Sequence, residues 1–313
     1  MKFADYYGPT HALNGVVEEY IKNVETKSNG RLKIERYPAE QLGKANDMLN
    51  LASTGTADIA MCVLTFFQGQ VPLTSVANLP HFTTAVEGTE IMIRTFKESP
   101  EIMAEFAKVN TIPINFFMTN QLDIGTAKKQ VKSPEDLKGL KIGTSGGLSD
   151  LVCNAYGAIP VNIATNENYE AIQKGILDGT MYSLPSSFGM KLMEVEKYHT
   201  FGMRAGGTGA SWVMNLNSYN SLPEDLRKVL AEVSEDAGRQ QAKVWDQKCL
   251  EAVKAFEDAG MTVYTVKDEE RAKWDAPVAA IDEIWLKQMN DKGLPAQEVL
   301  DLFSKIAKEE TSK

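Results

Sequence analysis

The sequence predicts an α/β protein made of two similar lobes, and three observations carry that prediction. Strand-like and helix-like segments alternate along the 313 residues, the pattern of mainly parallel sheets covered by helices. A strand–helix–strand unit early in the chain is matched by a comparable set after residue 139. Helical periodicity then runs almost unbroken from Pro223 to about Asp258, too long for one small domain.

Taken in order, Leu13, Val16, Val17, Tyr20, Ile21 and Val24 recur at helical spacing and predict a helix over 11–28, stopped by Asn29-Gly30. Leu32 and Ile34 alternate with Lys33 and Glu35, which predicts a half-exposed strand. Met48, Leu49 and Ala52 mark a second helix ending at Gly55. The apolar run 58–64 then reads as a strand covered on both faces. In the second half, 140–142, 159–162 and the stretch around Met181-Tyr182 read as strands, and 148–156 and 166–175 as helices. Ser221-Leu222-Pro223-Glu224 opens the long periodic segment with proline in its first turn. A helix of roughly 35 residues would be about 50 Å long. It either spans both lobes or breaks near Gly238, and the span is the favoured reading.

Composition excludes several classes. With 43% hydrophobic and 24% charged residues the chain has ordinary globular composition. A net charge of −9 argues against nucleic acid or an anionic membrane as the main partner. No apolar run approaches the roughly 18 residues of a membrane span. Met1-Lys2-Phe3 leads straight into domain-like sequence, so an exported protein with this start would be a mature form with its signal peptide removed and an initiator Met added. Cys62, Cys153 and Cys249 lack CxxC spacing and read as small core residues. His11, His81 and His199 are isolated and read as surface or cleft hydrogen-bonders, not metal ligands. The chain has no GxSxG, HExxH or P-loop, and no GxGxxG after a strand, so neither catalysis, a metal nor a cofactor is expected.

Five ordered stretches carry a resemblance. They are GRLKI at 30–34 with EQLG at 40–43, ASTGTADIAM at 52–61, SPEDLKGLKI at 133–142, the segment 157–179 ending YEAIQKGILDG, and VMNLNSYNSLPEDL at 213–226. Together they resemble the substrate-binding proteins of TRAP (tripartite ATP-independent periplasmic) transporters, the DctP-like family. The resemblance implies a periplasmic-binding-protein type of fold: two α/β lobes joined by hinge strands and a long bridging helix. It places 1–122 with about 213–255 in lobe one. Residues 123–212, with about 256–313 and the C-terminal helices, fall in lobe two. It also implies a periplasmic location, ligand capture by lobe closure and delivery to the membrane subunits of a TRAP permease.

The family typically places an arginine, which clamps a ligand carboxylate, where this chain has Gly143. Its other basic contact corresponds to Thr119-Asn120-Gln121-Leu122-Asp123, which holds no arginine. Three substitutes are compatible with the residues. The loop Thr144-Ser145-Gly146-Gly147 precedes a helix, and its backbone N–H groups would hold an anion. Another arginine, such as Arg204, would reach in. Or the ligand carries no carboxylate, and Asp123 binds an amine or hydroxyl. The loop ranks first, beside the plain alternative of a tight strand-to-helix turn.

Further candidates follow position by position. In the family the junction after the first strand lines the cleft, which implicates Tyr6, Tyr7 and His11. Phe66 and Phe67 follow a buried strand at its C-terminal end, a natural pocket wall. The resemblance makes Phe188 a ring that stacks on ligand. The glycine-rich 206–209 leads to Thr208, Trp212 and Asn215 as candidates; Asn120 completes the set. Four rings at one site favour an organic acid of aromatic or heteroaromatic kind. The alternatives are an amine or polyol ligand, a ligand-sensing receptor for a membrane signalling protein, and an enzyme on the same fold.

Overall fold

The structure, a computed structural model, describes residues 1–119, 121–163 and 167–312. Two sheets organise it. The first contains β1 (Lys2–Ala4), β2 (Glu35–Tyr37), β3 (Ile59–Val63), β4 (Thr111–Met118) and β10 (Gly209–Asn215), in the order β2-β1-β3-β10-β4. The second contains β5 (Asp123–Thr126), β6 (Lys141–Thr144), β7 (Ile159–Asn162), β8 (Gly179–Tyr182), β9 (Tyr198–Phe201) and β11 (Thr262–Thr265), in the order β11-β9-β5-β8-β6-β7. Neighbours β1, β2 and β3 pair in parallel, as do β6 with β7 and β8. The exceptions are β10 and β5, each antiparallel to both of its neighbours. Both are the strands that the chain enters on crossing between sheets, so the sheets are mixed where the lobes join.

The early helices are α1 (Asn14–Lys27), α2 (Met48–Thr54), α3 (Ala85–Glu98) and α4 (Pro100–Lys108). The predicted strand at Leu32–Ile34 appears three residues later, as β2. Leu32 is buried against α1 and its neighbours as a loop residue, and only the backbone from Glu35 pairs with β1. In the second lobe α5 (Leu148–Ala155), α6 (Asn168–Gln173) and α7 (Leu184–Gly189) follow strands β6, β7 and β8. After β10 come α8 (Leu216–Ser221) and α9 (Glu224–Asp258).

Helix α9 is continuous over 35 residues and serves two cores. Leu226, Leu230, Val233 and Ala237, spaced by three or four, pack with Tyr20 and Trp212 on the first sheet. Cys249, Ala252 and Phe256 join Leu184 and Met261 under the second. Full burial of a ring such as Phe256 contributes about 2–3 kcal/mol. Gly238, the possible break point, instead marks close approach. A Cβ there would lie 2.3 Å from the Phe116 carbonyl oxygen of β4. Beside it Asn115 Nδ2 donates to the Ser234 carbonyl at 2.8 Å, locking helix to strand.

The remaining helices are α10 (Arg271–Val278), α11 (Ala280–Asn290) and α12 (Ala296–Thr311). The sequence reading assigned all of 256–313 to the second lobe, and the structure corrects the end of that span. Helix α12 lies on α3 of the first lobe, where Arg94 meets Glu309 and Glu310 at 2.8 Å each. Its apolar stripe of Val299, Phe303 and Ile306 is buried. Residues 209–212 likewise pair within the first sheet, so the second crossing ends before Gly209.

The second lobe also buries ionisable groups. Glu196 is fully buried, its Oε1 accepts from Thr180 Oγ1 at 2.7 Å, and burial pushes its carboxyl up to about 8. His199 was expected at a surface or cleft but is fully enclosed against Phe256. Neither ring nitrogen has a partner among the described residues, and burial lowers its pKa to about 3. Burial thus favours the neutral form of both groups.

Two outcomes are expected. Gly238→Ala should lower Tm, although alanine is favoured over glycine by about 1 kcal/mol in a helix; a rise in Tm would show that helix and strand are not in contact there. Glu196 binds its proton more tightly folded than unfolded, so its contribution is complete below the ordinary glutamate pKa and is lost as pH rises toward 8. Thermal unfolding of Glu196→Gln should therefore gain on the parent steadily from pH 5 to pH 8. A constant difference across that range would contradict the burial of an ionisable group.

Candidate functional site

The lobes face each other across loops that leave the carboxyl ends of their strands, where open α/β sheets place ligands. From the first lobe, β3 runs into a 3-10 turn, Leu64–Phe67, and a longer turn covers Pro72–Asn78. From the second, β6 runs into Ser145–Gly147 and then α5. Two crossings close the floor, one before β5 and one from Gly202 to Thr208. They are bonded to each other: Thr119 N–H donates to the Thr208 carbonyl at 3.0 Å and Leu122 N–H to the Gly206 carbonyl at 2.9 Å.

Between these parts lies a cavity of about 360 Å³. The first lobe supplies Thr65, Phe66, Gln68 and Asn78. The second supplies Ser145 to Ser149, and the crossings supply Leu122, Gly207 and Thr208. Among the described residues that line it, none carries a charge. Phe66, 56% exposed, offers a ring to this space. Hydroxyls, side-chain amides and the start of α5 supply the polar wall. Gly146 and Gly147 both have positive φ, +84° and +61°, which aims the chain into α5 with no side chain across the opening.

The missing arginine has a structural explanation. A Cβ on Gly143 would fall 2.3 Å from Asn168 Oδ1 and 2.9 Å from Leu177 Cδ1, so the space for a long side chain is filled. Asn168 is fully buried and donates to the Tyr182 hydroxyl at 3.1 Å. Arg204, the proposed stand-in, is turned toward Asp275 at 3.5 Å and does not line the cavity.

The cavity brings together Phe66, Ser145, Gly146 and Thr208 of the expected residues. Several others stand elsewhere for identifiable reasons. Phe67 alternates inward and is buried in the core of the first lobe. Thr144 is fully buried, its hydroxyl donating to Asp150 to fasten β6 to α5. Asp123 is also fully buried, accepting from Gly202 N–H at 3.2 Å beneath the crossing, with its carboxyl held well above the usual range by burial. Trp212 lies mid-strand on the opposite face of the first sheet, its ring 5.1 Å from Phe3 and 4.6 Å from Tyr20. Asn215 caps α8 through Asn217 and Ser218 N–H, both at 3.0 Å. Asn120 lies outside the described residues.

One expected residue, Phe188, lines a separate chamber of about 260 Å³ together with Ala12, Pro185 and Trp245. Phe188 is 45% exposed and stacks loosely on Phe256. Tyr7 is buried and stacks on His11 at 4.0 Å, and His11 meets the edge of Trp245. Burial lowers the His11 pKa, and its Nδ1 accepts from Leu13 N–H, so the ring is a neutral spacer at this junction. Asn78 was not anticipated. Asn78 sits in the otherwise apolar stretch Val76-Ala77-Asn78-Leu79, and a lone amide there was the only available signal.

The two-lobed architecture agrees with known proteins. A crystal structure of a TRAP periplasmic solute-binding protein from Desulfovibrio salexigens superposes with TM-score 0.86 at 23% identity, covering 99% of this chain and 95% of that one. A TRAP solute-binding protein from Rhodoferax ferrireducens, in complex with copurified benzoate, superposes with TM-score 0.80 at 23% identity, covering 100% and 98%. The C4-dicarboxylate-binding periplasmic protein DctP of Rhodobacter capsulatus is 28% identical over 290 residues, 90% of this chain and 85% of its own length. Residues 3–291 match the DctP family of bacterial extracellular solute-binding proteins, family 7, and the chain belongs to that family.

Proposed function

We propose that the protein binds a small carboxylate bearing an aromatic or heteroaromatic ring in the cavity between its lobes, with the ring against Phe66 and the carboxylate toward the polar wall. The setting follows from the family. The protein is a periplasmic receptor of TRAP type that gives its solute to a membrane permease, and it is not an enzyme. Among the described residues no helix is long and apolar enough to cross a membrane.

One observation carries the choice of ligand: a cavity of about 360 Å³ with an aromatic wall, neutral donors and no charged lining side chain among the described residues. Pockets of a few hundred cubic ångströms hold one small organic molecule. An amine would need a carboxylate on the wall. Asp123 is turned away into the second lobe, which disfavours the amine alternative. A polyol would leave Phe66 and Leu148 facing polar groups. The Rhodoferax protein holds benzoate in the same kind of fold, which supports a ring-bearing acid of that size.

A thermal-shift screen of benzoate, 3-hydroxybenzoate, mandelate, D-glucuronate, amines and polyols tests this reading. At a hundred-fold excess over Kd a specific ligand adds about 2.7 kcal/mol of stability, so a ring-bearing acid should raise Tm clearly. Stabilisation by amines or polyols alone would overturn the proposal. Phe66→Ala should weaken binding of the selected acid about tenfold with little change in the Tm of the free protein, as expected for loss of an exposed stacking ring; unchanged affinity would remove Phe66 from the site. Asp123→Asn should leave affinity within about twofold, because one tenfold step corresponds to 1.4 kcal/mol of direct interaction that a buried residue off the wall does not supply. A larger loss in calorimetry would return Asp123 to the ligand.

A further inference from the structure

Asn78 is a nearly enclosed polar side chain on the cavity wall. It is only 6% exposed, yet it lines both the cavity described above and a neighbouring chamber of about 360 Å³. Its Oδ1 accepts from Gly209 N–H at 2.9 Å, and its backbone carbonyl accepts from Gly207 N–H at 3.3 Å. The first of these bonds fixes the amide orientation, because only the oxygen accepts. That leaves Nδ2 as the free end of an amide that lines the cavity. It has no hydrogen-bond partner among the described residues. A donor left free on the wall of a cavity is available to an acceptor that enters it.

The start of α5 offers donors on the other side. The helix has eight residues, Gly147 as its N-cap and no side-chain cap, so the N–H groups of Leu148 and Ser149 have no acceptor within the helix. Ser149 turns its own hydroxyl back to the Gly146 carbonyl at 2.8 Å, which leaves the backbone N–H groups uncovered. The Asn78 backbone and the Leu148 side chain both pack against Gly206, and both residues line the same cavity. A Cβ on Gly206 would lie 2.1 Å from the Asn78 carbonyl oxygen and 2.6 Å from Leu148 Cδ2. The acidic group nearby, Asp150, is engaged by Thr144 and lines the neighbouring chamber, not this one.

We infer that Asn78 Nδ2, from the first lobe, and the uncovered N–H groups of Leu148 and Ser149, from the second, form an arginine-free cradle for the ligand's carboxylate. The inference rests on the proposal that the ligand is a carboxylate. Hydrogen bonds from neutral donors to an ionised acceptor are short and strong, and the positive end of a helix adds to them. The cradle takes one donor from the first lobe and two from the second, so it is complete only when both lobes meet the same anion. The crossing segment 206–209 holds Asn78 at that meeting point.

The test is calorimetric titration of the full chain and its Asn78→Asp variant with benzoate. The substitution keeps size and the acceptor for Gly209 N–H but replaces the donor with a negative charge. Benzoate affinity should fall about thirtyfold or more, in line with the loss of a hydrogen bond to a charged group. On the parent protein, saturation with benzoate should shift the Asn78 side-chain amide and the Leu148 and Ser149 backbone amides in ¹⁵N-resolved NMR. That second readout decides the matter if the variant does not fold. If the parent binds benzoate but Asn78→Asp binds within threefold, or none of these amides shifts, the cradle is wrong while the ligand class stands. If the parent binds none of benzoate, 3-hydroxybenzoate, mandelate and D-glucuronate, the ligand class and the cradle fall together.

Discussion

Everything in this molecule depends on how two sheets are held by so little chain. Two short crossings connect them, bonded to one another through Thr119, Leu122, Gly206 and Thr208. Helix α9 is the third connection, burying its first half on the first sheet and its second half under the other. The crossings force β5 and β10 to run against their neighbours, which explains why each sheet is mixed where the lobes join. They also set the floor of the cavity. A ligand there touches both lobes and the segment that joins them, so binding and the relative placement of the lobes are energetically linked.

The second consequence is electrostatic. The second lobe buries Asp123, Glu196 and His199 with few partners, and burial raises the pKa of the two carboxyls and lowers that of the imidazole, each toward the neutral form. The cavity wall carries no charge among its described lining residues. An anion entering this site would then supply the only charge there and would meet donors with no competing counterion. That arrangement differs from an arginine clamp, in which a fixed positive charge must itself be desolvated. Gly143 shows that the difference is built into the packing, since Asn168 and Leu177 fill the space a side chain would need.

The sequence made much of this architecture legible. The buried strand β3 and helix α9 declared themselves through periodicity, and the SPEDLKGLKI motif at β6 pointed to the family, because repeated burial on one face leaves a repeated pattern. Short edge elements did not: β2 appeared three residues late, since Leu32 is buried from a loop and imitates a strand residue. Site residues were less legible still. Phe66 and Phe67 look equivalent in sequence, and only the turn after β3 sends one to the cavity and the other to the core. Trp212 and Asn215 were credible candidates beside a glycine-rich crossing, but strand alternation buries the first and a helix cap occupies the second. Asn78 gave almost no signal, because its role comes from contacts with Gly207 and Gly209, about 130 residues further along the chain.

The central claim is that this receptor holds a ring-bearing carboxylate with neutral donors from both lobes. A crystal structure of the protein with benzoate bound tests it most directly. The account predicts the ring against Phe66 and the carboxylate within hydrogen-bonding distance of Asn78 Nδ2 and the Leu148 and Ser149 N–H groups. A carboxylate paired with an arginine, or benzoate seated in the chamber beside Phe188 and Trp245, would contradict it.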